Sequence, residues 1–327
     1  MLNHPLPRID KDEKLRKYLL PYCRFQNGTI WKDEKLKHKI ACLDVSDSRD
    51  TLKLFGKQKV KLSIQDPPYN FIAFTEKRND EFLKWCNDWI KTNINVSNKD
   101  ASFYIWLGAD QSNHFEPFGG FIEMMKSTEL DSRSFITMRN QRGYGTQNNW
   151  MAIRQELLFY TKGNPKFFVK AEYTDIPKLV RGYFNEVGGN KTENLERSKS
   201  KNLRAGNVWI DIQQVFYRME ENVNGCFAQK PLKAIKRIVE ASSAKNDLVT
   251  DFFAHSGTTL IACEMLKRNC ITIDVDPVYC EISLRRLENF RSNGKSGWQN
   301  SNPFYNEIKN DKKILRHLKE KYNITYN

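Results

Sequence analysis

Short β-type apolar runs and segments of helical period take turns along most of this chain. KVKLSIQ (59–65), ASFYIWLG (101–108), SFITMRN (134–140) and QELLFYTKG (155–163) read as strands. EFLKWCNDWI (81–90) and FGGFIEMMKS (118–127) carry apolar residues at helical spacing. Between residues 164 and 207 the alternation stops, and Gly, Asn, Lys and Arg dominate in a loop-rich pattern. It then resumes: PLKAIKRIVEASS as helix, DLVTDFF (247–253) as strand, GTTLIACEMLKRN as helix, CITIDVD (270–276) as strand and PVYCEISLRRLENF as helix. Strands alternating with helices imply an α/β fold with a mainly parallel, doubly wound sheet. Residues 1–40 are helical in pattern but heavily charged, which predicts a peripheral lead-in.

Charge changes this picture by adding a partner. The 327 residues carry a net charge of +14, with a pI near 9.3, which favours a polyanion, nucleic acid before an anionic membrane surface. The irregular segment is itself basic, with ten Lys/Arg against five Asp/Glu over 160–206. The tail is basic too, with eight against three over 291–327. No apolar run is long enough to span a membrane, and the first residues lack a signal-peptide core, so a cytoplasmic location is expected. The seven cysteines contain no CxxC pair and mostly sit in apolar patterns, which reads as reduced packing residues. The histidines have no metal-binding spacing, so no metal is expected.

Two loops have the form that a doubly wound sheet uses for ligands, which bind beyond the carboxyl ends of strands where the strand order reverses. One is Asp66-Pro67-Pro68-Tyr69, directly after KVKLSIQ. The other is DFFAHSGTT (251–259), directly after DLVT. They lie 185 residues apart in sequence and flank one crevice only if their strands are neighbours. In the second loop, Ala254, Ser256 and Gly257 are small enough for a ligand to approach the backbone. A helix beginning near Thr258 offers N–H groups and a positive dipole end. The next strand ends in Asp274 and Asp276, acids placed to accept hydrogen bonds from ribose hydroxyls. Neither GxGxxG nor GxxxxGK[ST] is present, which counts against a dinucleotide and a P-loop.

DPPY followed by DFFAHSGTT and IDVDPVY, with QKPLKAIKRIV (229–239) between them, resembles the β class of S-adenosylmethionine-dependent DNA amino-methyltransferases over roughly residues 55–292. The resemblance implies a circularly permuted Rossmann-like methyltransferase sheet with an inserted target-recognition region. It divides the chain into a lead-in (1–54), a catalytic half (55–161), the insert (162–226), a cofactor half (227–292) and a basic tail (293–327). Asp66, Pro67, Pro68 and Tyr69 would be catalytic. S-adenosyl-L-methionine would be held by Asp66, Lys230, Asp251, Phe253, Ala254, His255, Ser256, Gly257, Thr258, Asp274 and Asp276. Duplex DNA would be met by Arg181, Lys191, Lys199, Lys201 and Arg204. The resemblance also brings in a cognate restriction endonuclease and a homodimer as candidate partners. His255 departs from the family's usual glycine; if the position needs positive φ, histidine tolerates it less well.

The chemistry of DPPY follows from the substrate. An exocyclic amine of adenine or cytosine is a poor nucleophile, because its lone pair is delocalised into the ring. Asp66 would accept one N–H and the Pro67 carbonyl the other, while two prolines fix these acceptors without added entropy cost. Tyr69 would stack on a base flipped out of the duplex. No covalent intermediate and no metal are needed. The aspartate form of the motif leans towards adenine-N6, with cytosine-N4 as the alternative within the class. RNA stays open as a substrate, and so does a non-catalytic DNA-binding protein whose cofactor site has decayed at His255. Trp150, Phe118 and Phe121 read as core packing before pocket walls.

Overall fold

Alternation of apolar residues along the central strands sends successive side chains to opposite faces of one sheet, and helices cover both faces. The computed structural model describes residues 5–34, 37–68, 79–108, 114–146, 149–168, 173–177, 183–187, 190–194 and 202–326. Side chains are described for these except 140–149, 151–152, 173–177, 183–187, 190–194 and 203–204. The strands are β1 (Ile30–Lys32), β2 (Lys39–Cys42), β3 (Val60–Gln65), β4 (Ser97–Leu107), β5 (Asp131–Thr146), β6 (Asn149–Lys162), β7 (Tyr173–Pro177), β8 (Tyr183–Val187), β9 (Asn190–Asn194), β10 (Asn202–Arg204), β11 (Val208–Trp209), β12 (Leu248–Asp251) and β13 (Asn269–Asp274). The helices are α1 (Glu13–Leu19), α2 (Ser48–Phe55), α3 (Asn79–Val96), α4 (Glu116–Met125), α5 (Leu232–Ser242), α6 (Thr258–Leu266), α7 (Pro277–Asn293), α8 (Tyr305–Ile308) and α9 (Lys312–Tyr322).

The main sheet runs β1-β2-β13-β12-β3-β4-β6-β5-β11. From β2 to β4 every neighbouring pair is parallel, while β6 runs antiparallel to both β4 and β5. The sheet is therefore mixed, with a parallel centre as expected. Ile40, Cys42, Tyr104 and Trp106 face α5, α6 and α7, which present Ile235, Ile238, Leu260, Ile261, Leu284 and Leu287. Ala41, Phe103, Ile105 and Leu107 face the other way, onto Leu54, Phe55, Phe82, Trp89 and Phe121 of α2, α3 and α4. The core is two apolar layers, one on each side of the sheet.

Three expectations need correction. Residues 1–40 are helical over α1 as expected but are not peripheral: Leu15 and Leu19 are fully buried, and so is Ile40 in β2, which pairs in parallel with β13 inside the sheet. KIAC is too short a run to show a period, so its burial was hidden among lysines. The inserted segment is not only loop: β7 pairs with β10 and β8 with β9 in two small sheets, and β11 extends the main sheet beside β5. Trp150 is not a core residue, being 93% exposed at the start of β6. Phe121 is fully buried and Phe118 packs beside it, as expected.

The C-terminal tail builds a third apolar cluster, in which Phe304, Ile308, Ile314 and Leu318 meet Leu15 and Leu19 of α1 and Val278 and Ile282 of α7. Asp12 fastens it. Its buried carboxylate caps α1 by accepting Leu15 N–H at 3.0 Å. Its second oxygen meets His317 Nε2 at 2.8 Å, the Tyr322 hydroxyl at 2.8 Å and Lys321 Nζ at 3.1 Å. Burial works to raise this carboxyl's pKa, but those hydrogen bonds together outweigh it and hold the group well below the usual carboxylate range. A depressed carboxyl pKa stabilises the fold above the unfolded value, about 4, and that stability is lost as pH falls towards the folded value. Asp12→Ala should therefore cost about 2–3 kcal/mol at pH 7. Urea unfolding should show the gap from the parent chain narrowing progressively below about pH 4.

Candidate functional site

β12 lies directly beside β3, with Val249 opposite Leu62 and Thr250 opposite Ser63. That pairing brings the two loops, distant in sequence, to one edge of the sheet. A buried side chain locks them further: Gln65 Oε1 accepts the Phe252 N–H at 2.9 Å, while Gln65 Nε2 donates to Ser63 Oγ at 2.8 Å. Ser63 Oγ also receives Asn93 Nδ2 of α3 at 2.7 Å. Residue 65, immediately before the DPP turn, thus holds the first turn of the second loop.

A cavity of about 560 Å³ opens beyond these strand ends. Asp66, Pro67 and Pro68 line it from β3, Phe252, Phe253 and His255 from β12, and Asp274 from β13. Its volume falls within the range of small-molecule sites, and its walls are mostly apolar with a few polar groups, which is the usual composition. A second, small pocket of about 20 Å³ is lined by Asp66, Lys230, Trp106, Asp251, Ala254, Ser256 and Thr258 among others. Asp66 and Lys230 line both, and their side chains meet at 2.8 Å. The Lys230 ammonium also stands 5.5 Å from the centre of the Trp106 ring.

The acids differ in what they do. Asp274 is buried; Oδ1 accepts Asp276 N–H at 2.9 Å and Oδ2 accepts His255 N–H at 2.8 Å. Burial pushes its pKa up to about 7 against the pull of these hydrogen bonds. Each oxygen keeps a further lone pair, so the group can still accept from a ligand. Asp251 is pushed up to about 7 by burial as well, and it shapes its own loop by accepting Thr259 Oγ1 at 2.6 Å and Phe253 N–H at 2.9 Å. Carboxyls displaced this far cluster at functional sites. Asp276 caps α7 through Val278 N–H at 2.9 Å and pairs with Arg16 at 3.2 Å. It is not among the residues lining either pocket.

Gly257 is needed for a reason other than ligand approach. It has φ +73°, and a Cβ there would stand 2.9–3.0 Å from Ser283 of α7. His255 takes φ +45°, so the position does require the left-handed region. Its half-buried ring packs edge-on to Tyr279, centroids 4.8 Å apart, and burial pushes its pKa down to about 4, leaving it neutral at pH 7. The fully buried Arg286 holds the loop from behind, donating to Ser256 O at 2.8 Å and Thr258 Oγ1 at 3.0 Å. Burial lowers even this guanidinium's pKa to about 10.

Some lining residues escape sequence reasoning. Leu43, Asp44, Val45 and Ser46 follow β2 into the cavity, joined there by Trp85, Phe227, Ala228, Val275 and Tyr279. Asp44 Oδ1 accepts both the Ser46 N–H at 2.9 Å and its hydroxyl at 2.7 Å. An acid immediately after an apolar strand, as in IACLD, is the same signal as Asp274 in ITID and marks this wall. Tyr69, Arg181, Lys199 and Lys201 lie outside the described residues; for Lys191 and Arg204 only the backbone is described, in β9 and β10.

Residues 60–285 match the family model for DNA methylases (N6_N4_Mtase). The chain belongs to the DNA methylase family. It is 29% identical over 258 residues to the Type II methyltransferase M1.MboII of Moraxella bovis, covering 74% of this chain and 92% of that one. It is 27% identical over 248 residues to the DNA adenine methyltransferase YhdJ of Escherichia coli K12, covering 74% and 81%. The fold matches the PvuII DNA methyltransferase (cytosine-N4-specific) with a TM-score of 0.55 at 15% identity, covering 76% of this chain and 85% of that one. The methylase is thus an enzyme that modifies DNA with S-adenosyl-L-methionine as methyl donor. No helix among its described residues is long and apolar enough to cross a membrane.

The Gln65 tie can be broken without touching the cavity lining. Gln65→Leu leaves the buried Phe252 N–H without its acceptor, which should cost about 1–3 kcal/mol. Urea denaturation should show a lower midpoint with an unchanged slope, and an unchanged midpoint would mean that strand pairing alone holds the two loops.

Proposed function

We propose that the methylase transfers a methyl group to the N6 amine of an adenine flipped out of duplex DNA, at a site marked by Asp66. One observation carries the reading: the Asp66-Pro67-Pro68 turn and the Asp274 carboxylate line one cavity because β12 pairs with β3 on one side and with β13 on the other. The aspartate form of the motif and the likeness to YhdJ, itself named a DNA adenine methyltransferase, favour adenine over cytosine.

The residues present fit the cofactor. Asp274 stands at a strand end, both its oxygens anchored by backbone N–H groups, in place to accept ribose hydroxyls. Phe252, Phe253 and Tyr279 give apolar and aromatic walls for a purine. When bound, S-adenosyl-L-methionine supplies an electrophilic methyl group on a sulfonium. The remaining work belongs to the chain. The Asp66 carboxylate accepts one N–H of the target amine and the Pro67 carbonyl accepts the second, which favours a pyramidal nitrogen with its lone pair available. Lys230 holds the carboxylate by an ion pair at 2.8 Å, fixing its direction. The neutral imidazole of His255 adds no charge that would oppose a cationic ligand. Tyr69 stacks on the flipped base, and residues 162–226 lie on the duplex, with Lys191, Lys199 and Lys201 on phosphates and Arg181 and Arg204 towards base edges. A cognate restriction endonuclease, a homodimer and a cytoplasmic location belong to the same proposal.

Asp66→Ala should abolish transfer while leaving duplex affinity largely intact, since affinity comes mostly from phosphate contacts. The measurement is mass spectrometry of nucleosides from DNA and RNA of cells expressing each form. N6-methyladenosine in RNA or N4-methylcytosine would replace the substrate assignment, and a methylated product from Asp66→Ala would remove Asp66 from the mechanism. Neutralising Lys191, Lys199 or Lys201 should weaken binding to all sequences alike, each lowering the slope of log affinity against log salt by about one. If those changes leave the slope constant while neutralising the exposed Lys312, Lys313 and Lys319 of α9 lowers it, the DNA lies on the tail.

A further inference from the structure

The N-terminal segment, outside the residues that match the family, packs against Phe227, a residue that lines the cavity. Ile9 N–H donates to Gly225 O at 3.1 Å, so residues 6–9 run along the loop that leads to Lys230. The approach is close: Gly225 has φ +94°, and a Cβ there would stand 2.8 Å from Leu6 and 2.9 Å from Ile9. Both side chains are buried in the third apolar cluster, with α1, α7 and α9. The strap is therefore pinned at both ends, by this cluster and by the Asp12 clasp.

Arg8 projects from the strap onto the cavity wall. Its guanidinium carbon lies 3.5 Å from the centre of the Phe227 ring, within cation–π distance. Asp10 holds the guanidinium in its plane, meeting Nε at 3.0 Å and Nη2 at 2.5 Å. Phe227 lines the cavity yet is 48% exposed, so apolar packing alone does little to fix its ring. Ala228 next to it has φ +59°, a conformation that leaves the wall dependent on outside support.

We infer that Arg8 is a positioning residue for cofactor binding: it clamps the Phe227 ring against the cavity, so that this wall is formed before the ligand arrives. The inference rests on the reading that this cavity holds S-adenosyl-L-methionine. A wall ordered in advance spares the ligand the entropy of ordering it. The contribution appears in affinity for the cofactor and not in the chemical step, because Arg8 touches neither Asp66 nor the amine.

The test is calorimetric titration of the full chain with S-adenosyl-L-methionine, together with steady-state kinetics. Arg8→Ala should weaken binding about threefold, the size of an exposed cation–π contact. KM for the cofactor should rise by the same factor, with kcat, duplex affinity and Tm of the ligand-free chain unchanged. Arg8→Gln, which keeps length and hydrogen bonding but not charge, should behave alike. On a Phe227→Ala background, Arg8→Ala should add nothing. Unchanged affinity in Arg8→Ala, or the same loss on both backgrounds, would overturn the inference. Asp274→Ala serves as the control for the site: if it binds like the parent chain, the cavity is not the cofactor site, and the proposed function fails first. If Asp274→Ala loses binding and Arg8→Ala does not, the inference about Arg8 fails alone.

Discussion

Everything at the site depends on β3 and β12 being neighbours. Neither loop is a site by itself: a Pro-Pro turn is a stiff corner, and a Gly/Ser loop before a helix is a common connection. Side by side, they share a cavity, and Gln65 converts the adjacency into a fixed distance by taking the Phe252 N–H. The chain uses an uncharged side chain for this buried tie. A carboxylate at the same place would bury a second charge within reach of Asp66 and Asp251, and burial already pushes Asp251 to a pKa near neutrality.

Much of this was legible in the sequence. LVTD and NCITID show as strands because both faces of the parallel centre are buried, which leaves runs rich in β-branched residues with no charge before the final aspartate. The loops were legible because prolines and glycines punctuate the strand ends. What escaped follows from length and distance. β2 is four residues long, and a lysine-rich stretch precedes its buried Ile-Ala-Cys, so no period could emerge. Asp12 and His317 lie 305 positions apart, and nothing local to either reveals the bond. Gln65 and Arg286 are buried polar residues that each reach a backbone group of the second loop, and only the folded chain shows those bonds.

His255 shows how a position can be read correctly and still be underdetermined. Its departure from glycine raised the question of positive φ, and the structure answers with +45°. Histidine is tolerated there because its ring is not forced into the loop: it turns towards Tyr279 and becomes part of the cavity wall. Gly257, two positions on, has no such outlet. Ser283 of α7 occupies the space a side chain would need, so the demand for glycine is steric as well as conformational.

The sheet order also sets a timetable for biosynthesis. β3 leaves the ribosome with Asp66, yet its partner β12 follows only after about 185 further residues, roughly ten to forty seconds at ordinary synthesis rates. During that interval one long edge of β3 has no neighbour, and β2 waits longer still for β13. An unpaired apolar strand is a template for wrong pairing. The growing chain therefore depends on α2, α3 and α4, all made early, to shield one face of these strands until α5, α6 and α7 arrive to close the other.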